Sequence, residues 1–214
     1  MPVWRFVEIP TSDSAIVLSA ARGARSVRLR QRKVALTAYK IDWWTSVHET
    51  SGDLRELQGL LDRTYASAGP HLLEIVTPNQ RLSATQLCEQ LHGLCLLSLA
   101  TVSRDGRPFV GPVDSIFFRG HFYFSTGDKA VRWRHLQRDP HVSATYIPKE
   151  TFATTVHGRV TKIDHHVAEN QDFVDSLLDT FVPMYGKGFA DFIESIPCYF
   201  RIEADKQYCY FRND

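Results

Sequence analysis

Short segments in which apolar and polar residues alternate, or in which apolar residues run together, dominate the chain after residue 93. Segments of this kind, bounded by Gly, Pro or Asp, are typical of β-strands. The pattern predicts strands at residues 94–103, 109–118, 121–126, 141–147 and 152–163. It also predicts a closing hairpin at 198–212 that turns from Glu203 to Lys206. Six or seven short strands with tight turns favour a small antiparallel barrel.

Helical spacing marks four other segments. A helix is predicted before Gly69 from apolar residues three or four positions apart: Leu54, Leu57, Leu60 and Leu61. Ser83 is the predicted N-cap of a second helix, which ends at Gly93. A short helix from Lys129 and a longer one over residues 168–186 complete the set. The predicted fold class is therefore mainly β (α+β), a six- to seven-stranded antiparallel β-barrel with flanking helices.

The charge pattern changes near residue 50. No acidic residue lies between Asp13 and Asp42, whereas seven basic residues do: Arg22, Arg25, Arg28, Arg30, Arg32, Lys33 and Lys40. We therefore predict three parts, namely a basic and weakly structured N-terminal extension (1–48), a helical leader (49–93) and a barrel domain (94–214). A targeting peptide or a nucleic-acid-binding arm has a similar composition, but a poorly packed extension is the simpler interpretation.

Charge, hydropathy and cysteine content argue against several classes of protein. The formal net charge is only +1, whereas a chain that binds nucleic acid as a whole usually carries a clear basic excess. No run of about 18 apolar residues occurs, so we expect no contact with a membrane through a spanning helix. The four cysteines form no CxxC pair and lie in apolar stretches, so we expect buried free thiols in a cytoplasmic protein.

Basic residues cluster after the third predicted strand, in the segment FYFSTGDKAVRWRHLQRDP (122–140). Lys129 and Arg132 fall in the first turn of the helix predicted there, where free backbone N–H groups and the helix dipole favour an anion. Arg134 and Arg138 are expected to point into solvent. The first pair therefore permits a phosphate site, with solvated surface charge as the alternative for all four residues.

An ordered series of motifs resembles the FMN-binding split barrels of the pyridoxamine 5'-phosphate oxidase-like superfamily. The series runs through residues 97–147 as a strand ending in LAT, a DGxP turn, a hairpin to FxxST, and RDPxVS. It continues as VHGRV at 156–160, and the whole resemblance covers about residues 80–212. The fold implied is a split β-barrel.

The resemblance also implies a cofactor site. Its expected residues are Val113, Asp114, Ser125, Thr126, Lys129 and Arg132. Arg132 stands where the family's phosphate-binding Lys or Arg usually stands, and Lys129 is expected as a second phosphate contact. The two hydroxyl residues would contact the cofactor from a strand end. The two residues of the neighbouring strand would face its ring through their backbone.

A homodimer is implied as well, with each flavin in a groove between the two chains. The aromatic strands FFRGHFYF (117–124) are expected to leave an apolar patch that the second chain covers.

The activity implied is that of a flavin-dependent oxidoreductase, which transfers hydride to or from an unknown small molecule with FMN as cofactor. A deazaflavin coenzyme or haem is the alternative cofactor, and a non-catalytic haem- or flavin-binding protein is the alternative function. No catalytic residue is assigned. The strand FVGPVDSI (109–116) lacks the Arg and Lys of true pyridoxamine phosphate oxidases, and the ending CYFRND (209–214) lacks their Arg-Leu-x-Pro. Oxidation of that vitamin is therefore not implied.

Metal chemistry has one weak candidate, the run Asp164-His165-His166 together with His157. These residues fall at a strand end and a turn, where surface histidines are expected, and no set of three ligands is evident. The sequence therefore predicts no metal site.

The composition break generates a first prediction. A chain that begins at Glu49 should keep the thermal midpoint and the cofactor of the full chain, because the barrel is expected not to need residues 1–48. Thermal unfolding followed by circular dichroism, with cofactor absorbance, measures both quantities. Aggregation or cofactor loss in the shortened chain would show that the boundary is wrong.

Overall fold

Six antiparallel strands form a closed barrel in the computed structural model, which describes residues 48–212. The strands are β1 (Cys95–Val102), β2 (Pro108–Phe118), β3 (His121–Ser125), β4 (His141–Lys149), β5 (Phe152–Ile163) and β6 (Tyr199–Phe211). Their order around the barrel is β1-β2-β3-β6-β5-β4, and β1 also pairs with β4. The predicted fold class is confirmed.

Helices flank this barrel on the described part of the chain. They are α1 (Ser51–Ala66), α2 (Pro70–Ile75), α3 (Ala84–Gln90), α4 (Val131–Arg138), α5 (Gln171–Tyr185) and α6 (Phe189–Glu194). Ser83 caps α3 as predicted, since its hydroxyl accepts a hydrogen bond from the backbone N–H of Gln86. Within residues 48–212, no helix has the length and apolar character needed to cross a bilayer.

Large apolar side chains fill the barrel. Leu97 and Leu99 of β1 meet Phe122 and Phe124 of β3 and Phe200 of β6 in one cluster, and each is at most 2% exposed. Complete burial of one such side chain contributes about 1.5–3 kcal/mol. The period-2 alternation of β1 thus directs every second residue into this core.

A second apolar cluster lies outside the barrel, under α5. Phe118 and Tyr123 project from the β2–β3 hairpin onto Phe173 and Leu177 of α5, and all four are buried. The aromatic stretch 117–124 therefore does not leave an exposed apolar patch, and that expectation is wrong. Alternate aromatics of this stretch enter the barrel interior and the α5 interface, so both faces of the hairpin are covered.

The helical segment before the barrel packs directly on β6. Tyr65 of α1 donates a hydrogen bond from its hydroxyl to the Cys209 carbonyl (2.6 Å) and accepts one from the Cys209 N–H (2.9 Å). Leu57 and Leu61 of α1 belong to the same core cluster as the strand residues. The boundaries at 48/49 and 93/94 stay predictions, and residues 1–47 lie outside the described part of the chain.

The last strand corrects a second prediction. The expected hairpin over 198–212 is one continuous strand, β6, which pairs with β5 along nearly its whole length. The polar residues Glu203 to Lys206 form a β-bulge instead of a turn. His157 pairs with Lys206 and Gly158 with Ala204, so one residue of β6 between them has no partner on β5.

All four cysteines, Cys88, Cys95, Cys198 and Cys209, are buried and free, as predicted. Burial raises the pKa of the Cys88 and Cys95 thiols to about 12, so both are protonated at neutral pH. Thiol chemistry therefore does not enter the candidate functions.

The bulge makes glycine necessary at position 158. A Cβ there would lie 2.0 Å from the carbonyl oxygen of Glu203 and 2.9 Å from the Cα of Ala204, and both are backbone atoms that cannot turn aside. Gly158→Ala should therefore lower the free energy of unfolding by about 3 kcal/mol or more. Gly188→Ala is the matched control, because nothing lies within 4 Å of its Cβ position. The control should change stability by less than about 1 kcal/mol. Urea unfolding followed by tryptophan fluorescence compares them, and equal midpoints would contradict the bulge geometry.

Candidate functional site

The start of α4 is an uncapped helix N-terminus. Ala130 is the N-cap residue, and no side chain accepts a hydrogen bond from the first-turn N–H groups. The helix begins at Val131, so Lys129 precedes it, whereas the sequence predicted that the helix begins at Lys129. Lys129 is exposed, and it has no ion-pair partner among residues 48–212. Free N–H groups and a nearby cation make this end of the helix electropositive.

Arg132 lies in the first turn of α4 and reaches across to β2. Its Nη2 donates a hydrogen bond to the carbonyl oxygen of Pro112 at 3.2 Å. A Cβ at Gly111 would lie 2.9 Å from the same nitrogen, so the glycine leaves room for the guanidinium. The side chain is half-buried, and this burial lowers the pKa of the Arg132 guanidinium below its ordinary value.

The electrostatic environment of Arg132 is unusual for a half-buried charge. Arginine keeps its proton at neutral pH even when its pKa is lowered. Removing a cation from water is unfavourable unless an anion or hydrogen bonds compensate. In the described part of the chain, no carboxylate forms an ion pair with Arg132, and the Pro112 carbonyl is its single hydrogen-bond partner. Several of its N–H donors therefore remain available to a ligand.

The predicted strand residues lie beside this helix start. Ser115 of β2 pairs with Phe124 of β3, and the next residues along the two strands are Asp114 and Ser125. Val113 is buried in the barrel, so only its backbone could contact a ligand. Asp114 is exposed, yet partial desolvation of its carboxyl raises its pKa.

The connectivity brings the six predicted residues to one region, made of the middle of β2, the end of β3 and the start of α4. Thr126, just after β3, is 9% exposed. Among the described residues, no hydrogen bond joins the hydroxyls of Ser125 or Thr126 to Lys129 or Arg132. The polar side chains of Ser125, Thr126, Lys129 and Arg132 are therefore not hydrogen-bonded to one another.

The two arginines expected to point into solvent differ from each other. Arg134 is exposed, and no ion pair involves it within residues 48–212. Arg138, by contrast, donates a hydrogen bond from Nη2 to the carbonyl oxygen of Val102 at the end of β1. Arg138 is exposed, as predicted, and its hydrogen bond in addition fastens the last turn of α4 to the barrel.

Two further residues position α4 and were missed in the sequence. His135 is 7% exposed, and its Nδ1 lies 3.0 Å from the hydroxyl oxygen of Thr101 on β1. The ring of Phe109 packs against the His135 ring, with 5.1 Å between ring centroids. His135 follows Arg132 by three positions, but the contact with Thr101 spans 34 residues. No local pattern signals such a pair.

This arrangement can bind an anion but holds no evident acid–base pair. A phosphate monoester suits it, since the helix N–H groups, Arg132 and Lys129 are all donors. Redox chemistry would have to come from a bound group, because protein side chains of this kind supply none. A pocket of about 460 Å³ lies elsewhere, with Tyr65 and Arg81 in its walls, and it includes none of the six residues.

Comparison with known proteins identifies the family. The sequence profile of the family described as pyridoxamine 5'-phosphate oxidase matches residues 85–192, which are 108 of the chain's 214 residues. The matched region holds β1 to β5, α4 and the six predicted residues. No curated protein sequence matches the chain.

Several solved structures are similar to this chain. A conserved hypothetical protein from Mycobacterium tuberculosis is 16% identical, with a TM-score of 0.53 over 64% of this chain and 89% of its own. An FAD-binding protein from Mesorhizobium loti is 20% identical, with a TM-score of 0.46 over 63% and 97%. The heme storage protein HutZ from Vibrio cholerae is 16% identical, with a TM-score of 0.40 over 56% and 82%. The first likeness supports the fold alone. Since the family profile covers half of the chain and six strands close the barrel, the chain belongs to the pyridoxamine 5'-phosphate oxidase family of split barrels.

Proposed function

We propose that this protein binds FMN by its phosphate at the start of α4 and works as a flavin-dependent oxidoreductase. The observation that carries the proposal is the half-buried guanidinium of Arg132, which has no carboxylate partner in the described residues and lies at an uncapped helix N-terminus. Family membership supports the same assignment, since Arg132 lies within the matched region and stands where a phosphate-binding basic residue is expected from the resemblance.

The physical argument concerns an unbalanced charge. Partial removal of a cation from water is unfavourable unless an anion or several hydrogen bonds compensate. One hydrogen bond to Pro112 leaves most of the guanidinium donors unused. A phosphate dianion would accept two of these donors side by side and would interact favourably with the helix dipole. Gly111 keeps the space that this guanidinium position requires.

The other predicted residues would add further contacts to the cofactor. Lys129 adds a second positive charge from the exposed loop before α4. Ser125 and Thr126 offer hydroxyls at the end of β3, and the backbone at Val113 and Asp114 offers polar groups beside them on β2. These residues would bind and orient the cofactor. The flavin, when bound, supplies the hydride-transfer chemistry, and its partner is a small-molecule substrate.

We also propose that the working form is a homodimer. The resemblance implies a cofactor that lies in a groove between two chains, so a second chain would cover it. Leu96, Val110 and Ile147 lie on the adjacent strands β1, β2 and β4 and are 55%, 69% and 64% exposed. All three are exposed on neighbouring strands, and we propose that a second chain covers them. This group replaces the aromatic hairpin as the reason to expect dimerisation.

A binding protein without turnover is the second candidate. It is favoured by the lack, among the described residues of the site, of any paired acid and base. Such a protein would hold a flavin, a deazaflavin coenzyme or haem. The visible spectrum of the purified protein distinguishes them, since flavin absorbs near roughly 450 nm and haem near roughly 400 nm.

Phosphate recognition can be measured directly. Apo protein is titrated with FMN and with riboflavin, which lacks the phosphate. Wild type should prefer FMN, and Arg132→Ala should weaken FMN binding about 10- to 100-fold, because a charge-assisted hydrogen bond contributes about 1.5–3 kcal/mol. Lys129→Ala should have a smaller effect, since Lys129 is exposed.

Arg134→Ala is the matched control for this titration. It removes the same charge from the same helix at an exposed position, so FMN binding should change by less than about threefold. Arg138 is not a suitable control, because its loss would also free α4 from Val102. Equal losses in Arg132→Ala and Arg134→Ala would mean a diffuse basic surface. No loss in either variant would remove Arg132 from the site.

Dimerisation has its own test in sedimentation velocity at micromolar concentration. The wild type should sediment as a dimer, with an interface above roughly 1,000 Å². Ile147→Glu, which puts a charge on the apolar group, should shift the protein to monomer. Met184→Glu changes a residue of similar exposure (52%) on α5 and should leave the dimer intact. A wild-type monomer with full cofactor occupancy would contradict the proposal.

A further inference from the structure

The loop after β5 brings three potential metal ligands together. Asp164, His165 and His166 each offer one ligand atom, and these atoms all lie within 4.8 Å of one another. The loop is fixed at its far end, where the Asn170 side chain donates a hydrogen bond to the Asp164 carbonyl at 2.8 Å. None of these residues belongs to the proposed flavin site.

His165 carries the main argument. The sequence predicted a surface histidine here, but its side chain is enclosed and the residue is only 5% exposed. Its Nε2 lies 3.1 Å from the Ile193 carbonyl oxygen at the end of α6. A carbonyl can only accept, so Nε2 carries the hydrogen and Nδ1 carries a lone pair. That Nδ1 is buried and has no partner in the described residues.

An imidazole that carries its hydrogen on Nε2 and a lone pair on Nδ1 can bind a cation through Nδ1. Ligating histidines usually donate their other ring N–H to a backbone carbonyl or a carboxylate, which fixes the tautomer. His165 makes that hydrogen bond already, while its lone pair lacks any donor. Buried polar atoms without a partner are rare in native proteins and often indicate a missing ion or water.

Further ligands surround the ring of His165. The His166 ring lies beside it, with 4.0 Å between centroids. Glu194, the last residue of α6, places Oε2 at 3.3 Å from the Nδ1 of His166. Asp164 accepts a hydrogen bond from the His166 backbone N–H through one carboxylate oxygen, which leaves the other free. Two imidazoles and the Asp164 carboxylate therefore lie within 4.8 Å of one another, and the Glu194 carboxylate lies beside His166, outside that group.

We propose that His165, His166, Asp164 and Glu194 form a binding site for one divalent transition-metal ion of the zinc type. Zinc accepts imidazole and carboxylate ligands and prefers four of them in a tetrahedral arrangement. Two ligand atoms on a tetrahedral zinc ion lie about 3.4 Å apart, so ligand atoms now up to 4.8 Å apart must move closer by as much as about 1.4 Å. His166, Asp164 and Glu194 are exposed and can make this movement by side-chain rotation.

The position of the site indicates a structural role. His165 follows β5, and its ring packs edge-on against Tyr199 at the start of β6, with 5.3 Å between centroids. Glu194 belongs to α6. An ion bound to both would therefore fasten α6 to the barrel. This role is independent of the flavin proposal, since the two sites share no residue.

Metal binding is tested on the full chain without an affinity tag, after removal of metal with EDTA. Titration with ZnCl₂ in a calorimeter should show one ion per chain, with a micromolar or tighter dissociation constant. His166→Gln and Asp164→Asn should each weaken zinc binding at least about tenfold. His141→Gln is the matched control, because it removes another exposed histidine that also contacts a carboxylate, and it should leave binding unchanged.

The proposed role needs a second measurement. Zinc should slow hydrogen exchange of the α6 amides in the wild type and not in His166→Gln. These variants alter exposed side chains, so they avoid the risk that a change at buried His165 unfolds the protein. No binding at millimolar zinc, or equal binding in all variants, would overturn the site. Binding with unchanged exchange in α6 would overturn the fastening role.

Discussion

Strand β6 keeps the barrel closed, and the other elements depend on it. It pairs with β3 on one edge and with β5 on the other, so without it the sheet would have two open edges. The pairing tolerates one irregularity, the bulge opposite Gly158, where only a residue without a Cβ fits. Helix α1 then packs on β6 through Tyr65 and the leucines of the barrel core. The barrel that carries the candidate site is thus closed by β6, the last strand along the chain.

Local sequence patterns predicted the elements that depend on interactions between residues close together in the chain. The strand predicted from the apolar run at 94–103 and the capping residue Ser83 depend on neighbours along the chain, and both are found as predicted. The hairpin at Glu203 to Lys206 was wrong for the opposite reason. A polar run with high turn propensity is held extended because β5 pairs with it from about 50 residues away.

In the candidate site, too, some features were indicated by the sequence and others depend on contacts between distant segments. The resemblance and the charge pattern pointed to Arg132, but the carbonyl of Pro112, the space at Gly111 and the Thr101–His135 contact come from other strands. Nothing in the helix of Arg138 indicates that the Val102 carbonyl lies within reach of its side chain. His165 was taken for a surface residue because α6, which covers it, follows almost 30 residues later. Contacts between distant segments are what a single sequence does not reveal.

The hydrogen bonds between Tyr65 and Cys209 join residues 144 positions apart. During synthesis, β1 to β5 emerge before β6 exists, so β3 and β5 must wait with unpaired edges. Each edge can meanwhile pair with a strand of another chain. Because so many contacts are this distant, closure is also slow relative to helix formation. The barrel can therefore pair the edges of β3 and β5, and so avoid aggregation through them, only after β6 has been translated.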